Sequence, residues 1–192
     1  MSALLDLFRL PRRLRLDAPQ VYLRPPRGTD YRAWTRLRME SRDFLTPWEP
    51  TWPDTDLDRT AFRTRLEAYA RDLHIGEAWA FFIFRKSDDA LVGAIRLFNV
   101  RRGVAESGVI GYWVGAPHAR QGYMAQAVTA VIGFAFKDLG LHRLEAACMP
   151  ENAASARLLL KSGFREEGYA PAYLKINGEW RDHRLFGLVA PG

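Results

Sequence analysis

The sequence predicts a single α/β domain whose sheet is largely antiparallel and carries helices on both faces. Three observations support this fold class. The chain has 192 residues, 48% of them hydrophobic and 26% charged, which suits one globular domain with a sizeable core. Apolar or alternating segments bounded by turns occur in pairs, as in hairpins. One long amphipathic helix between two strands indicates a single βαβ-type crossover in the middle of the chain.

The first half of the chain contains one strand, two helices and a hairpin. The strand ends at Pro25-Pro26, and Thr29 or Asp30 can cap the helix that follows. Apolar residues at helical spacing predict the second helix, after a loop rich in Pro and Trp. The predicted elements are a strand over 21–24, helices over about 29–42 and 56–73, and strands over 78–85 and 91–100.

The second half alternates strands with helices and then closes with another hairpin. Gly140 and Gly163 end the two helices, and Asn177-Gly178 is a typical hairpin turn. The predicted elements are a strand over 109–114, a helix over about 119–139, a strand over 142–149, a helix over 152–162, and strands over 164–176 and 179–189. The order is therefore β-α-α-β-β-β-α-β-α-β-β.

The composition excludes several classes of protein. No apolar run approaches the ~18 residues that a membrane-spanning helix needs. The single cysteine, Cys148, excludes an internal disulfide framework, and its apolar surroundings predict a buried structural thiol in a reducing, cytoplasmic compartment. Four scattered histidines offer no set of metal ligands, so we expect no metal.

The chain divides into a basic N-terminal leader and one domain, and its net charge is positive. Residues 1–20 form the leader, which we expect to be partly ordered, and residues 21–190 form the single domain. With 28 Lys and Arg against 22 Asp and Glu, the net charge is +6, which favours an anionic ligand or an RNA-rich partner. An amphipathic arm that binds a membrane surface or RNA is the alternative for the leader.

Two helix starts, each following a strand, could hold one phosphorylated ligand between them. In the loop 118–125, Gly122 allows close approach of the backbone to a ligand and Arg120 adds positive charge. Asn152 reads as the N-cap of the later helix. Ser155 lies in the first turn of that helix, where its hydroxyl either serves the helix or hydrogen-bonds a thiolate or alkoxide.

This pattern resembles the GNAT superfamily of acetyl-CoA-dependent N-acetyltransferases over roughly residues 20 to 190. Within it, the chain is most similar to the RimJ/RimL-type ribosomal-protein N-terminal acetyltransferases. The similarity rests on five stretches in the same order: Phe44-Leu45-x-Pro47-Trp48-Glu49-Pro50, Gln121-Gly122-Tyr123-Met124, Met149-Pro150-x-Asn152, Gly163-Phe164-x-x-Glu167-Gly168-Tyr169-Ala170 and Gly178-x-Trp180-Arg181-Asp182-His183.

The resemblance implies a fold and a cosubstrate site. The fold is a twisted, mostly antiparallel sheet of seven strands with a splayed central pair, strands 109–114 and 142–149. Acetyl-CoA is expected in the gap between them, with a backbone N–H near Trp113 stabilising the developing oxyanion. The implied cosubstrate-binding residues are Trp113, Val114, Ala119, Arg120, Gln121, Gly122, Tyr123, Met124, Ala125, Asn152 and Ser155.

Two departures from the superfamily pattern affect the implied chemistry. Of the usual Gln/Arg-x-x-Gly-x-Gly/Ala loop, only Gly122 is retained, and Arg120 can replace the lost polar side chain. Many members carry a tyrosine seven residues after the Asn as the acid for the thiolate, but that position is Leu159 here. The resemblance therefore makes Ser155 the expected partner of the departing sulfur.

The general base is left open between three alternatives. Glu49 matches the RimJ-like motif and could also bind the ammonium of the acceptor, or it is an exposed loop carboxylate. Glu106 precedes a central strand, near where some superfamily members place a base, or it is a solvated turn residue. A chain of water molecules without any single base is the third.

The resemblance predicts transfer of acetyl from acetyl-CoA to a primary amine within a ternary complex. The expected acceptor is the α-amino group of a protein N-terminus, and a ribosomal protein is the leading candidate. Two alternatives remain: acetylation of a small amine such as an antibiotic or polyamine, and a non-catalytic acyl-CoA sensor or RNA-binding module on the ribosome. A monomer or weak dimer is expected.

Overall fold

The computed structural model describes residues 14–191, and one eight-stranded sheet forms its centre. The strands lie in the order β1-β2-β3-β4-β5-β6-β8-β7. All neighbours pair antiparallel except β5 and β6, which are parallel. The strands are β1 Leu16–Asp17, β2 Val21–Arg24, β3 Trp79–Arg85, β4 Leu91–Arg101, β5 Ser107–Val114, β6 Arg143–Cys148, β7 Arg165–Ile176 and β8 Glu179–Val189.

Within residues 14–191, five α-helices cover the sheet. The helices are α1 Tyr31–Glu40, α2 Arg42–Leu45, α3 Arg59–His74, α4 Tyr123–Gly133 and α5 Ala153–Lys161. A π-helical turn, Phe134–Asp138, continues α4, and a 3-10 turn, Thr46–Trp48, follows α2. No helix within residues 14–191 is long and apolar enough to cross a membrane.

Each face of the sheet has its own hydrophobic core. On one face, α4 and α5 bury Val128, Val131 and Leu159 completely against the strands. On the other face, Trp34 of α1 and Phe62 of α3 pack against strand side chains. Burial of each large apolar side chain contributes about 1.5–3 kcal/mol, so these faces fix the sheet on which the site is built. The prediction of helices on both faces is confirmed.

The central parallel pair separates halfway along its length. Strands β5 and β6 pair only through Ser107–Val109 and Arg143–Glu145. Beyond this point, residues 110–114 remain paired with β4, and residues 146–148 remain paired with β8. Over residues 110–114 and 146–148, the facing backbone edges of β5 and β6 therefore form no ladder hydrogen bonds with each other. The predicted splayed pair is confirmed.

The structure corrects the predicted strand count and two helix boundaries. The described residues form eight strands and not seven, because Leu16–Asp17 pairs with Tyr22–Leu23 and adds a short edge strand. The helix predicted from residue 119 begins only at Tyr123, since the preceding loop contains residues in the left-handed region. The first predicted helix is interrupted at Ser41. The part of the predicted leader over residues 1–13 lies outside the described residues.

Candidate active site

Adjacent residues of β5 face opposite sides of the sheet where the central strands separate. The Trp113 side chain packs in the core beneath α1 and α3. Tyr112 and Val114 pack on the side of α4 and α5. The free half of β5 therefore presents backbone toward β6 and side chains toward both faces. Trp113 and Val114, two predicted contacts of the cosubstrate, lie at this gap.

Asn152 caps the helix that begins beside the gap. Its Oδ1 accepts a hydrogen bond of 3.0 Å from the backbone N–H of Ser155, which satisfies one of the free donors of the first turn of α5. The bond uses only the backbone of Ser155. The serine side chain is thus held at a fixed position while its hydroxyl remains available for other contacts.

The Ser155 hydroxyl contacts Tyr112 across the gap. The two hydroxyl oxygens lie 2.9 Å apart, and either can be the donor. Burial raises the pKa of Tyr112 to about 12, and the hydrogen bond with Ser155 partly opposes that shift. The phenol therefore keeps its proton throughout the neutral range. Sequence reasoning found Ser155 but missed Tyr112, because the two residues are 43 positions apart.

The thiol of Cys148 lies at the end of β6 and is buried, as predicted. Burial raises the pKa of this thiol, and the neighbouring Ser155 side chain acts in the opposite direction. A thiol with a raised pKa is a poor nucleophile at neutral pH, because the thiolate is the reactive form.

The loop before α4 is a turn with open space above its glycine. Arg120 has φ of +61° and Gly122 has φ of +80°, so the chain passes twice through the left-handed region. Beyond the adjoining backbone, no atom lies within 4 Å of the position that a Cβ on Gly122 would occupy. The backbone N–H groups of the first turn of α4 lack helical partners and can bind an anion here.

The remaining predicted loop residues divide into exposed and buried side chains. Ala119 is half-buried, and Arg120, Gln121 and Ala125 are exposed. The Gln121 side chain donates a hydrogen bond of 2.8 Å to the carbonyl of Pro117. The side chains of Tyr123 and Met124 are buried in the core. These two residues can therefore offer a ligand their backbone and not their side chains.

Gly122→Ala should weaken binding of CoA by about tenfold. A left-handed conformation costs a residue with a Cβ about 1–2 kcal/mol, so the loop would relax away from the geometry that presents its N–H groups. Calorimetric titration with CoA measures the change.

The control is Gly103→Ala. Gly103 lies in the turn between β4 and β5, has φ of +68°, and likewise has no atom within 4 Å of its Cβ position. The Gly103→Ala variant should lose about as much folding stability as Gly122→Ala and should keep its full affinity for CoA. Equal CoA affinity in both variants would contradict a role of the Gly122 loop in binding.

Glu49 is tied by three hydrogen bonds. Its two carboxylate oxygens accept from the guanidinium of Arg38 at 2.8 and 2.7 Å, and Oε2 also accepts from the indole N–H of Trp52 at 2.8 Å. Arg38 is 7% exposed and stacks on the Trp52 ring at 3.8 Å and on the Trp113 ring at 5.0 Å from the centroid. This arrangement fixes the loop after α2, and both carboxylate oxygens are already engaged by charge-assisted or indole hydrogen bonds.

Glu106 lies at the other end of β5. Its backbone carbonyl accepts hydrogen bonds from the N–H groups of His142 and Arg143, where β5 and β6 are still together. Six residues of strand separate it from Tyr112, which corresponds to about 20 Å. The structure therefore brings Asn152 and Ser155 together beside the free half of β5 and places Glu106 apart from them.

A cavity of about 300 Å³ lies on the side of α1 and α3, against the free half of β5. Its lining includes Gly111, Tyr112 and Trp113 of β5 and the fixed Glu49. The same residues 111–113 of β5 lie in the half of the strand that is not paired with β6, so the cavity adjoins the gap between the strands. A molecule in the cavity and one in the gap can therefore meet at the free half of β5. In the part of the chain that the structure describes, no group of three His, Cys, Asp or Glu could hold a metal ion.

Comparison with known proteins places this geometry in a family. A family model described as an acetyltransferase (GNAT) domain matches residues 20–165. The probable N-acetyltransferase YjcK of Bacillus subtilis is 38% identical over 92% of this chain and 97% of its own length. The [ribosomal protein uS5]-alanine N-acetyltransferase of Escherichia coli is 32% identical over 93% and 92%. The structure of Mycobacterium smegmatis RimJ in complex with CoA-disulfide has a TM-score of 0.88 and 32% identity, covering 92% and 88% of the two chains.

The observed cleft fits a CoA thioester. The free strand edges of the gap can pair with the amides of the pantetheine arm, and the open loop at Gly122 has room for phosphate groups. Acetyl-CoA supplies the acetyl group and a thiolate leaving group. The resemblance read from the sequence is thereby confirmed: the chain belongs to the GNAT acetyltransferase family and is an N-acetyltransferase that uses acetyl-CoA as its cosubstrate.

Proposed function

We propose that the acceptor is the α-amino group of a protein N-terminus, with a ribosomal protein as the leading candidate. One observation carries the proposal: Glu49, the carboxylate that lines the cavity, is already bound by Arg38 and Trp52. Because these contacts occupy the Glu49 carboxylate, the site suits an acceptor amine that is already partly neutral and needs no strong base to remove its proton. The name of the E. coli relative, which refers to the alanine of a ribosomal protein, agrees with this acceptor.

Amine basicity supports an α-amino group over a lysine or polyamine. An α-amino group has a pKa of about 8 and is roughly a quarter neutral at pH 7.5, whereas a lysine amine with a pKa of about 10.4 is only about 0.1% neutral. Only the neutral amine attacks the thioester. Of the three alternatives for the base, we therefore favour water without a dedicated carboxylate.

The chemistry divides between the two sides of β5. The neutral amine nitrogen forms a bond to the acetyl carbon and gives up one proton to water, while the carbon–sulfur bond breaks and the sulfur leaves as a thiolate that must be stabilised or protonated. We assign that task to the Ser155 hydroxyl, which the Asn152 cap and Tyr112 hold in place. Tyr112 keeps its proton because its pKa is about 12, so it can donate to Ser155 during the step.

The alternative of a small cationic amine is not favoured by the cavity. Three arginines, Arg38, Arg65 and Arg96, line it together with the paired Glu49. A polyamine would meet like charge there, which costs binding free energy.

Mass spectrometry of acetylated products tests the proposal directly. The enzyme and acetyl-CoA are offered a peptide with a free N-terminal alanine, the same peptide with a blocked N-terminus and one free lysine, and spermidine. We expect acetyl on the first peptide alone. Acetylation of spermidine or lysine at an equal or higher rate would overturn the assignment of the acceptor.

The pH profile should follow the acceptor and not the enzyme. For a peptide with N-terminal alanine, kcat/KM should rise with pH and level off above about pH 8, because the neutral amine is the reactive form. Steady-state rates with two peptides whose amines differ in pKa give the midpoint of the pH profile of kcat/KM for each peptide. A midpoint that stays the same for both peptides would indicate an ionising group of the enzyme as the base.

A further inference from the structure

The three arginines of the cavity are each held by a carboxylate and an aromatic ring. Arg38 of α1 is held by Glu49 and by the Trp52 ring. Arg65 of α3 donates a hydrogen bond of 2.7 Å to Asp56, and its guanidinium lies 5.5 Å from the centroid of the Trp34 ring. Guanidinium groups fixed in this way lose little conformational freedom when they bind a ligand.

Arg96 of β4 is fixed in the same manner. It donates a hydrogen bond of 2.5 Å to Asp72 of α3, and its guanidinium lies 5.5 Å from the ring centroids of both Tyr69 and Phe98. Arg96 stands opposite Gly111 of β5 in the sheet, so no side chain on that neighbour covers it. The cavity thus has fixed positive groups contributed by α1, α3 and β4.

The charge that a ligand meets in the cavity is positive. Glu49 lines the cavity and compensates Arg38. The partners of the other two arginines, Asp56 and Asp72, do not belong to the lining, and their side chains are only 16% and 21% exposed, against 36% and 40% for Arg65 and Arg96. Two guanidinium groups therefore remain available to an anionic group that enters from the solvent.

Each of these arginines also has an unused donor. The Nε–H groups of Arg38, Arg65 and Arg96 are buried and have no acceptor among the described residues. Unsatisfied buried donors cost stability, and natural proteins contain few of them. The carboxylate partners therefore hold the three guanidinium groups in positions that do not satisfy every donor within the described residues.

We propose that the acceptor site selects protein N-termini that carry an acidic side chain next to the amino-terminal residue, and that Arg65 and Arg96 bind this carboxylate. The inference rests on the proposed function and specifies its substrate class. Arginine suits the role because its planar guanidinium binds carboxylates through two parallel hydrogen bonds. The amine is directed to Tyr112 and the gap while the acidic side chain stays in the cavity.

Two peptides that differ only in charge test the proposal. Both begin with alanine, and one has Asp at the second and third positions where the other has Asn. We expect kcat/KM to be about tenfold higher for the acidic peptide, mainly through a lower KM, because a hydrogen-bonded ion pair is lost with Asn. The ratio should shrink at high ionic strength.

Variants of the arginines identify the origin of the preference. R65Q and R96Q should each reduce the ratio between the two peptides. R96K keeps the positive charge and loses the two parallel hydrogen bonds, so it should retain only part of the ratio. R63Q is the matched control, because Arg63 lies on the same helix as Arg65, has a side chain that is 73% exposed and does not line the cavity. It should leave the ratio unchanged.

The outcomes separate this inference from the proposed function. Equal kcat/KM values for the two peptides would overturn the acidic preference and leave N-terminal acetylation intact. Failure to acetylate either peptide, with spermidine or lysine accepted instead, would overturn the proposed function. An equal fall in activity of R65Q and R96Q on both peptides, with the ratio retained, would show that the arginines are only structural and would overturn the inference.

Discussion

Replacing Ser155 with alanine should lower the turnover of acetyl transfer by about 10²-fold and leave the affinity for CoA nearly unchanged. The hydroxyl is the group that we assign to the departing sulfur, and Leu159 offers no alternative acid. The capping bond to Asn152 uses the backbone N–H of residue 155, so the substitution keeps the start of α5 intact. Pre-steady-state and steady-state rates together with calorimetric titration of CoA measure the two quantities.

A double-mutant cycle shows whether Ser155 and Tyr112 act as a unit. Tyr112→Phe should lower turnover by about tenfold, and adding it to Ser155→Ala should cause little further loss, because residues that share one hydrogen bond are not additive. Ser162→Ala, at the opposite end of α5, is the control and should behave as the unaltered enzyme. Turnover of Ser155→Ala within a factor of two of the control would remove Ser155 from the mechanism.

Replacing Arg38 with leucine should lower the free energy of unfolding by about 3–5 kcal/mol, because it leaves the Glu49 carboxylate half-buried and without its partner. For a domain of this size, that corresponds to a fall in Tm of about 10 °C. Chemical and thermal denaturation measure it. Activity should fall as well, since the loop that carries Glu49 and Trp52 loses its anchor beside the cavity.

Two further variants separate loss of the ion pair from loss of one side chain. Arg38→Leu combined with Glu49→Leu should recover part of the lost stability, because no uncompensated charge then remains. Arg36→Leu replaces an exposed arginine of the same helix and should change stability by less than about 0.5 kcal/mol. A loss in Arg38→Leu no greater than in Arg36→Leu would contradict the importance of the pair.

The main elements of the fold could be predicted because they carry clear periodicity. Seven strands and the helices α1, α3, α4 and α5 are amphipathic or apolar over enough residues to show a pattern. The strand β1 has only two residues, and its pairing with β2 leaves no pattern in the sequence. The predicted start of α4 is too early, because Ala119 and Arg120 are good helix formers while the backbone there turns through the left-handed region.

The site could be predicted only where local sequence determines it. The N-cap role of Asn152 was predicted, since capping depends on the three residues that follow. Tyr112 and the pairing of Glu49 with Arg38 depend on contacts between distant segments. One signal for Arg38 was present: it shares the buried face of α1 with Trp34 and Leu37, and a charged residue on an apolar helix face needs a partner.

Strand β8 lies between β6 and β7, so the half of the sheet beside α5 closes only after the last strand has been synthesised. Before that, β6 has three paired positions with β5 and lacks the six that it later makes with β8. The N–H of Asn177, which binds the carbonyl of Glu49, also arrives late and fastens the loop beside the cavity. On a translating ribosome, we therefore expect a growing chain to gain activity only when its closing hairpin has emerged.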